Sequence, residues 1–484
     1  MSGIALRRPY PVLDKGDVAR IQRAALTGLE RVGVRIGTAR GRSLLKKAGA
    51  QVDERTHAAK IPESLVKDLV KESPSRVRLH ARNPEKDVEL DLAHVHLCND
   101  GTGCLVVDGE TGERRPSTSE DLARSTRVSN ALENHHVLWP MVTSQDYPEA
   151  IRDYVDLKVC YMNTDKPILF ASARTAEQSR YLTAMAAAVA GGPDELRERP
   201  ILSSVHTSIA PLTHDEGNMD GAFVFGETGI PVAIFTMPTP GASGPVTLAG
   251  SITVATMEFL SGLAMARLAN PGCPLIWGCG VAPLDMRTTT RASGSPEHGL
   301  TGAAITQVAH AFGVPSLCGG FDSTASVPGT QTAMEALTSG FSVLLGGADL
   351  IVGLGLIEDA KTLSLEHLVI ADEMVQMIRR IADGIVVDEE TIALDVIERV
   401  GIGRSFLAER HTLRHFRTES YMPKLMDRRS YDLWTADGRK SVEDRARLRI
   451  REAFKVPPPH PLGPATVKAL DRIIREAQPV GVPA

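Results

Sequence analysis

CPLIWGCGVAPLDMRTTTRASGSPEHGLTGAAITQVAHAFGVPSLCGG, residues 273–320, is the stretch that decides the fold. Two short apolar runs, CPLIWGCG from Cys273 and GVPSLCGG from Gly313, bracket a polar loop and a helical segment, SPEHGLTGAAITQVAHAF. Each run is nearly continuous in apolar residues and ends in glycine, as a strand covered on both faces does. The same unit recurs on either side. HVLWPMVTS (from His136), KPILFASA (Lys166), PILSSVHT (Pro200) and IPVAIFTMP (Ile230) precede it, and ADLIVGLG (Ala348) follows. The runs start 30 to 43 residues apart, with helical patterns such as EQSRYLTAMAAAVA between them. Strands alternating with helices make a parallel sheet. Seven such units near 35 residues favour an α/β chain built on a closed (β/α)8 TIM barrel. The rival, an open doubly wound sheet, lacks its signature: no G-x-G-x-x-G and no G-x-x-x-x-G-K-[ST] follows a strand. The eighth strand is either the 97–107 segment or 403–408.

The flanks differ in texture. Val18, Ile21, Ala25, Leu29 and Val32 form one apolar stripe at helical spacing. From about 77 to 115, apolar and polar residues alternate between glycines, the pattern of antiparallel hairpins. The chain therefore divides into N-terminal helices with a small β region (1–118), the barrel (119–400) and a helical C-terminal extension packed on it (401–484).

Composition excludes several classes of function. The 484 residues carry a net charge of −5, so no basic field invites nucleic acid. The six cysteines, Cys98, Cys104, Cys160, Cys273, Cys279 and Cys318, form no C-x-x-C pair, as in a reduced intracellular chain. No secretory h-region and no run of 18 apolar residues appears, so the expectation is a soluble cytoplasmic protein. Glycine is concentrated: 23 of 42 glycines lie between 201 and 360. Aromatic residues amount to only 4%.

In a barrel the chemistry lies on the loops after the strands. Cys273, Cys279, His298, His310 and Cys318 fall there at no metal-ligand spacing, so no metal is assigned and structural roles are the default. Lys361 is the one near-fit to a Schiff-base lysine, the basis of an alternative lyase or aldolase reading. No G-x-S-x-G elbow is present. Asp285 and Arg287 either hold a polar substrate end or brace their loop. Arg291 either binds a carboxylate bidentately or faces solvent. Asp100 reaches the mouth or caps a turn. Glu358 and Asp359 occupy a catalytic position or supply helix N-terminal charge.

Longer blocks carry a resemblance. MPTPGASGPVTLAGSITVATMEFLSGLAMARLANPGCPLIWG (from Met237), DMRTTTRASGSPEHGLTGAAITQVAHAFGVPSLCGG (from Asp285), LAERHTLRHFRTESYMPKLMDRRSYDLW (from Leu407) and the DGETGERRP turn (108–116) resemble the trimethylamine methyltransferase family. The resemblance implies a barrel that binds a methylated or quaternary amine. It also implies a partner corrinoid protein docked at the mouth, whose Co(I) cobalamin takes a methyl group from nitrogen. The nucleophile is then the cobalt, and the barrel needs none of its own. Gly241, Gly244, Gly319 and Gly320 become candidates for the surface that a flat corrinoid approaches. Trimethylamine-specific members use a pyrrolysine near the loop that here reads FDSTAS (321–326), all standard residues. That departure points to a quaternary, betaine-type substrate such as glycine betaine. A cation without an N–H needs carboxylates and ring faces. The substrate-binding candidates are Asp100, Arg287, Arg291, Phe321 and Glu358. A homo-oligomer and a non-catalytic small-molecule binder remain open readings.

Overall fold

In the computed structural model, which describes residues 1–484 except 2, 8, 171–173, 458–459 and 479–484, eight parallel staves close on themselves. They are His94–Asn99, the bridging segment 137–138, Ile168–Phe170, Leu202–Thr207, Val232–Thr236, Leu275–Cys279, Ser316–Gly319 and Leu350–Leu354. The second stave is short. It is tied to its neighbours by parallel bridges from Val137 to Cys98 and from Leu138 to Ile168. Closure comes from the last stave pairing with the first, Leu350 with His96 and Ile351 with Leu97. This is the expected TIM barrel.

The first stave corrects the sequence reading in one respect. It lies ahead of residue 119, where that reading began the barrel, and the 403–408 alternative forms no strand. HVHLCN alternates polar and apolar residues because its inner side meets a polar-edged plug, so it reads as half of an antiparallel hairpin.

That plug is the hairpin Val77–Leu79 with Val88–Leu90, which enters the barrel from its N-terminal end. Val77, Leu79, Val88 and Leu90 pack with the inward residues Cys98, Val137, Leu169, Val205, Ala233, Ile276, Leu317 and Leu350. Each of the four plug side chains contributes about 1.5–3 kcal/mol by leaving water. Arg82 of the plug donates to Thr164 O, and Arg199 pairs with Asp87 at 3.0 Å, both at the strand-entry end. The opposite end stays free for loops.

Helices cover the outside. Pro296–Ala311 starts with proline in its first turn, where the missing N–H costs nothing. Thr330–Gly346 ends at Gly347, whose left-handed φ of +84° is a glycine conformation. Leu248–Ala269 is long and apolar enough to cross a membrane, yet most of it is buried. Its outer side is covered by the N-terminal helices Lys15–Arg31, Ala39–Lys47 and Glu63–Lys71, which explains why it is apolar all round. In the C-terminal extension, Val442–Lys455 lies on Leu365–Ala382, and Pro464–Ala477 lies on Ala176–Ala190.

One buried carboxylate ties the strand-entry end together. Asp349, fully buried, accepts from Leu92 N (2.6 Å), His310 Nε2 (2.7 Å), Ser316 N (2.8 Å) and Ser316 Oγ (2.9 Å). Removing it strands four donors in a dry site. Asp349→Ala is expected to lower unfolding stability by about 3–5 kcal/mol, read as a fall in the denaturant midpoint. An unchanged midpoint would show that the network is dispensable.

Candidate active site

At the strand-exit end of the first stave, Asp100 follows the inward residues His96 and Cys98 in the same parity. Its N–H donates to Leu354 O (2.9 Å), so the closing ladder positions it. One carboxylate oxygen accepts from Gly101 N (2.8 Å). The other, Oδ2, is buried with no hydrogen-bond partner among the described residues. Burial, and then the neighbouring Asp322 carboxylate, hold the Asp100 carboxyl well above the usual carboxylate range.

Two rings form a corner beside it. The Trp139 indole lies against Gly101, where a Cβ would come within 2.2 Å of the ring. Phe235 meets Trp139 edge to face, with centroids 6.3 Å apart and an interplanar angle of 81°. Gly278 leaves room for Phe235, since a Cβ there would meet that ring at 2.3 Å. Trp139 Nε1 is buried and has no hydrogen-bond partner among the described residues.

Opposite stand Arg291, Asp359, Asp322 and His298. Arg291 bonds Asp359 Oδ1 (2.6 Å) and Gly280 O (2.6 Å), and its Nε is buried without a partner. His298 Nδ1 donates to Val281 O (2.9 Å), and its Nε2 lies 3.0 Å from Asp322 Oδ2. Of three carboxylates at the mouth, Asp359 and Asp322 thus have side-chain partners, while Asp100 has only the Gly101 N–H among the described residues.

Asp359 is aimed by unusual backbone. Glu358, Asp359 and Ala360 all have left-handed φ, +56°, +55° and +63°. Such a conformation costs about 1–2 kcal/mol per non-glycine residue. It is held by Glu358 N to Ala325 O (3.1 Å), Asp359 N to Ser323 O (2.9 Å) and Lys361 N to Ile357 O (3.1 Å). Non-glycine residues held in sparsely populated conformations cluster at functional sites.

The structure separates the residues chosen from sequence. Asp100 and Arg291 come together at the mouth. Arg287 does not: its side chain is 88% exposed and pairs with Asp285 at 2.7 Å, bracing its own loop. Glu358 turns to Arg114, which grips it at 2.8 and 3.2 Å, and to Thr362. Phe321 is fully buried in the helix layer, against the space left by Gly340. Lys361 is exposed, and its carbonyl accepts from Cys104 N and Leu105 N. Among the candidate glycines, Gly241 lies in a surface turn near Met286 and Val246. The other three face inward packing: Gly244 against Ser251, Gly319 against His298, and Gly320 against Ile351 and Val343. His298 was read as a plain helix histidine. Its place in the first turn after the sixth stave was the signal that puts it at the mouth. Trp139 and Phe235 were legible as strand aromatics, but not as a pair.

Residues 4–479 match the trimethylamine methyltransferase (MTTB) family. The chain belongs to that family. It is 32% identical over 458 residues to trimethylamine methyltransferase MttB of Desulfitobacterium hafniense, covering 95% of this chain and 92% of the relative. It is 30% identical over 453 residues to glycine betaine methyltransferase from another strain of that species, covering 93% and 94%. A solved structure, monomethylamine methyltransferase of Methanosarcina barkeri, is similar at a TM-score of 0.48 and 12% identity, covering 97% of this chain and 95% of that one. The MTTB resemblance read from the sequence blocks therefore holds over nearly the whole chain.

The site makes a stability prediction. A carboxyl whose folded pKa lies above its unfolded value binds its proton more tightly when folded. Its contribution is full below about pH 4, the unfolded carboxylate value, and is lost as the pH rises through the folded pKa. Asp100→Asn keeps the Gly101 bond and removes the charge. The variant is expected to gain about 1–2 kcal/mol at neutral pH and to show a flatter stability profile above pH 4. Urea midpoints across a pH series measure both. Destabilisation by Asp100→Asn at neutral pH would contradict the assignment of an uncompensated charge.

Proposed function

We propose that this family member transfers a methyl group from a quaternary, betaine-type amine to the corrinoid of a separate partner protein. The observation that carries the reading is the Asp100 carboxyl beside the Trp139–Phe235 corner, whose Oδ2 has no partner among the described residues. A quaternary ammonium has no N–H to donate. It neutralises a carboxylate by charge alone and lies against ring faces. Such a ligand would satisfy Asp100, whose Oδ2 is buried with no donor among the described residues. Arg291, with an unused Nε, supports a carboxylate at the far end of the same ligand. One relative carries the name glycine betaine methyltransferase, which supports the same substrate class.

The rim supports a docked corrinoid protein in part. Val246, Met286 and Val327 are exposed on the strand-exit loops, with Gly241 in the same surface turn as Val246. Gly319 and Gly320 do not contribute, because they are filled from inside. When bound, the corrinoid supplies the nucleophile that accepts the methyl group. The chain's own residues hold the cation, exclude water and point one N–CH3 bond outward. Loss of a methyl from a quaternary nitrogen leaves a neutral amine, and Asp100 then regains a proton, which weakens retention of product.

Incubation with a Co(I) corrinoid protein and a panel of betaines is expected to consume the Co(I) absorption and yield the demethylated amine. Silence with every quaternary and tertiary amine would overturn the reading, and tight binding without turnover would indicate a binder instead. Asp100→Asn should weaken binding of all quaternary amines by tenfold or more. Arg291→Gln should weaken betaines while sparing tetramethylammonium. Below the raised Asp100 pKa the cation must displace a proton, so affinity is expected to fall by up to about tenfold per pH unit. Calorimetry in buffers of different ionisation enthalpy should then register proton release on binding.

A further inference from the structure

We propose that Glu390, His411 and His415 form a binding site for a divalent transition-metal ion, Zn2+ by the character of its donors, that clips residues 389–392 to the helix Arg410–Glu419. The site lies in the segment after the barrel and is independent of the mouth.

The two histidines are four residues apart on one face of a helix, the spacing at which paired imidazoles share one metal. Their ring centroids are 4.4 Å apart. Glu390 stands on the short helix Glu389–Ile392, whose geometry is set by a reciprocal Asp388–Thr391 cap. His415 Nε2 lies 3.1 Å from Glu390 Oε1, and His411 Nε2 lies 3.0 Å from the Glu390 carbonyl oxygen. One donor atom from each of the three residues lies within 4.8 Å of the other two, and this is the one such group of three found among the described residues. Tetrahedral bonds of about 2.0–2.2 Å require donors roughly 3.4 Å apart. The gap is small for side chains that are exposed or half-buried.

The carboxylate is free to serve. Arg414 (2.5 Å) and His415 both use Oε1, so Oε2 can take a metal while Arg414 keeps its bond. Two imidazoles select against Mg2+ and Ca2+, which prefer oxygen, and favour Zn2+ and its transition-metal neighbours. With three protein donors, the fourth position faces solvent.

The surrounding segment has little buried core of its own. Its own buried cluster is Ala393, Val396 and Val400. Ile385, Val387, Ile402 and Leu407 are exposed rather than packed. Other ties are polar and near the surface, among them Arg399 to Glu409 (2.9 Å), Arg380 to Glu419 O (3.0 and 3.2 Å) and Arg7 to Ile385 O. Exposed pairs of this kind contribute about 0–1 kcal/mol. Small units without a core are commonly stapled by a metal, whose binding free energy becomes local stability.

The full-length chain, stripped with a chelator, is titrated with ZnCl2 by calorimetry and followed by amide hydrogen exchange. The expected result is one Zn2+ per chain lost in the His411→Ala/His415→Ala double variant, with at least tenfold weaker binding in either single variant. Glu390→Gln, which keeps the Arg414 contact, should also weaken binding. Zn2+ should slow exchange across residues 385–419 in the wild type and leave the double variant unchanged. Co2+ should give tetrahedral visible bands that the double variant lacks. Absence of saturable Zn2+ binding, or equal affinity and stoichiometry in wild type and double variant, would overturn the proposal.

Discussion

The pairing of the last stave with the first is the constraint on which the rest of this protein depends. Leu350 against His96 and Ile351 against Leu97 close the barrel, and the register then shifts before Leu354 meets Asn99. The shift occurs at Gly353, where φ is +131° and a Cβ would lie 1.8 Å from Gly320 O. No other residue fits that backbone. The same ladder continues to Asp100 N and Leu354 O, so closure and placement of the unpaired carboxylate are one event. A barrel left open between these staves would let water reach Asp100 and remove the reason for its raised pKa.

Burial gives the mouth its character. A solvated carboxylate binds a quaternary ammonium weakly, because water screens both charges. At the mouth the Trp139 and Phe235 rings displace that water, and Asp359 and Asp322 already have partners. Among the described residues, the carboxyl oxygen without a partner is Asp100 Oδ2. The cost is a folded state that carries an uncompensated carboxyl, the usual trade of stability for function at a binding site. The strain at Glu358–Ala360 belongs to the same trade, since it places Asp359 on Arg291.

How much of this was legible follows from the range of each interaction. The strands and helices were readable because their signals are local: short apolar runs ending in glycine, helical stripes, caps. The first stave was left open between the 97–107 and 403–408 segments because its inner side faces a plug contributed from residues 77–90, which no local pattern announces. Asp100, Arg291, Arg287, Phe321 and Glu358 were all chosen from their places on strand-exit loops. The structure brings Asp100 and Arg291 together and turns the other three elsewhere, since position on a loop does not say which way a side chain turns. Arg287 found Asp285 two residues away, whereas Glu358 found Arg114 more than two hundred residues earlier. Gly319 and Gly320 show the same limit. Their missing side chains make room for His298, Ile351 and Val343 inside the fold rather than for a ligand outside it.

The amino-acid sequence by itself determined the repeating strand–helix unit, hence the barrel, the end of it that bears the loops, and the family. The unit and the barrel depend on periodicity within a few tens of residues, whereas the family rests on the resemblance of several long sequence blocks. Tertiary structure alone decided which of several loop charges are already neutralised by partners and which one is left unpaired in a dry corner. That decision depends on closure between residues 94–99 and 350–354. It is a contact between distant parts of the chain whose free energy no local segment carries.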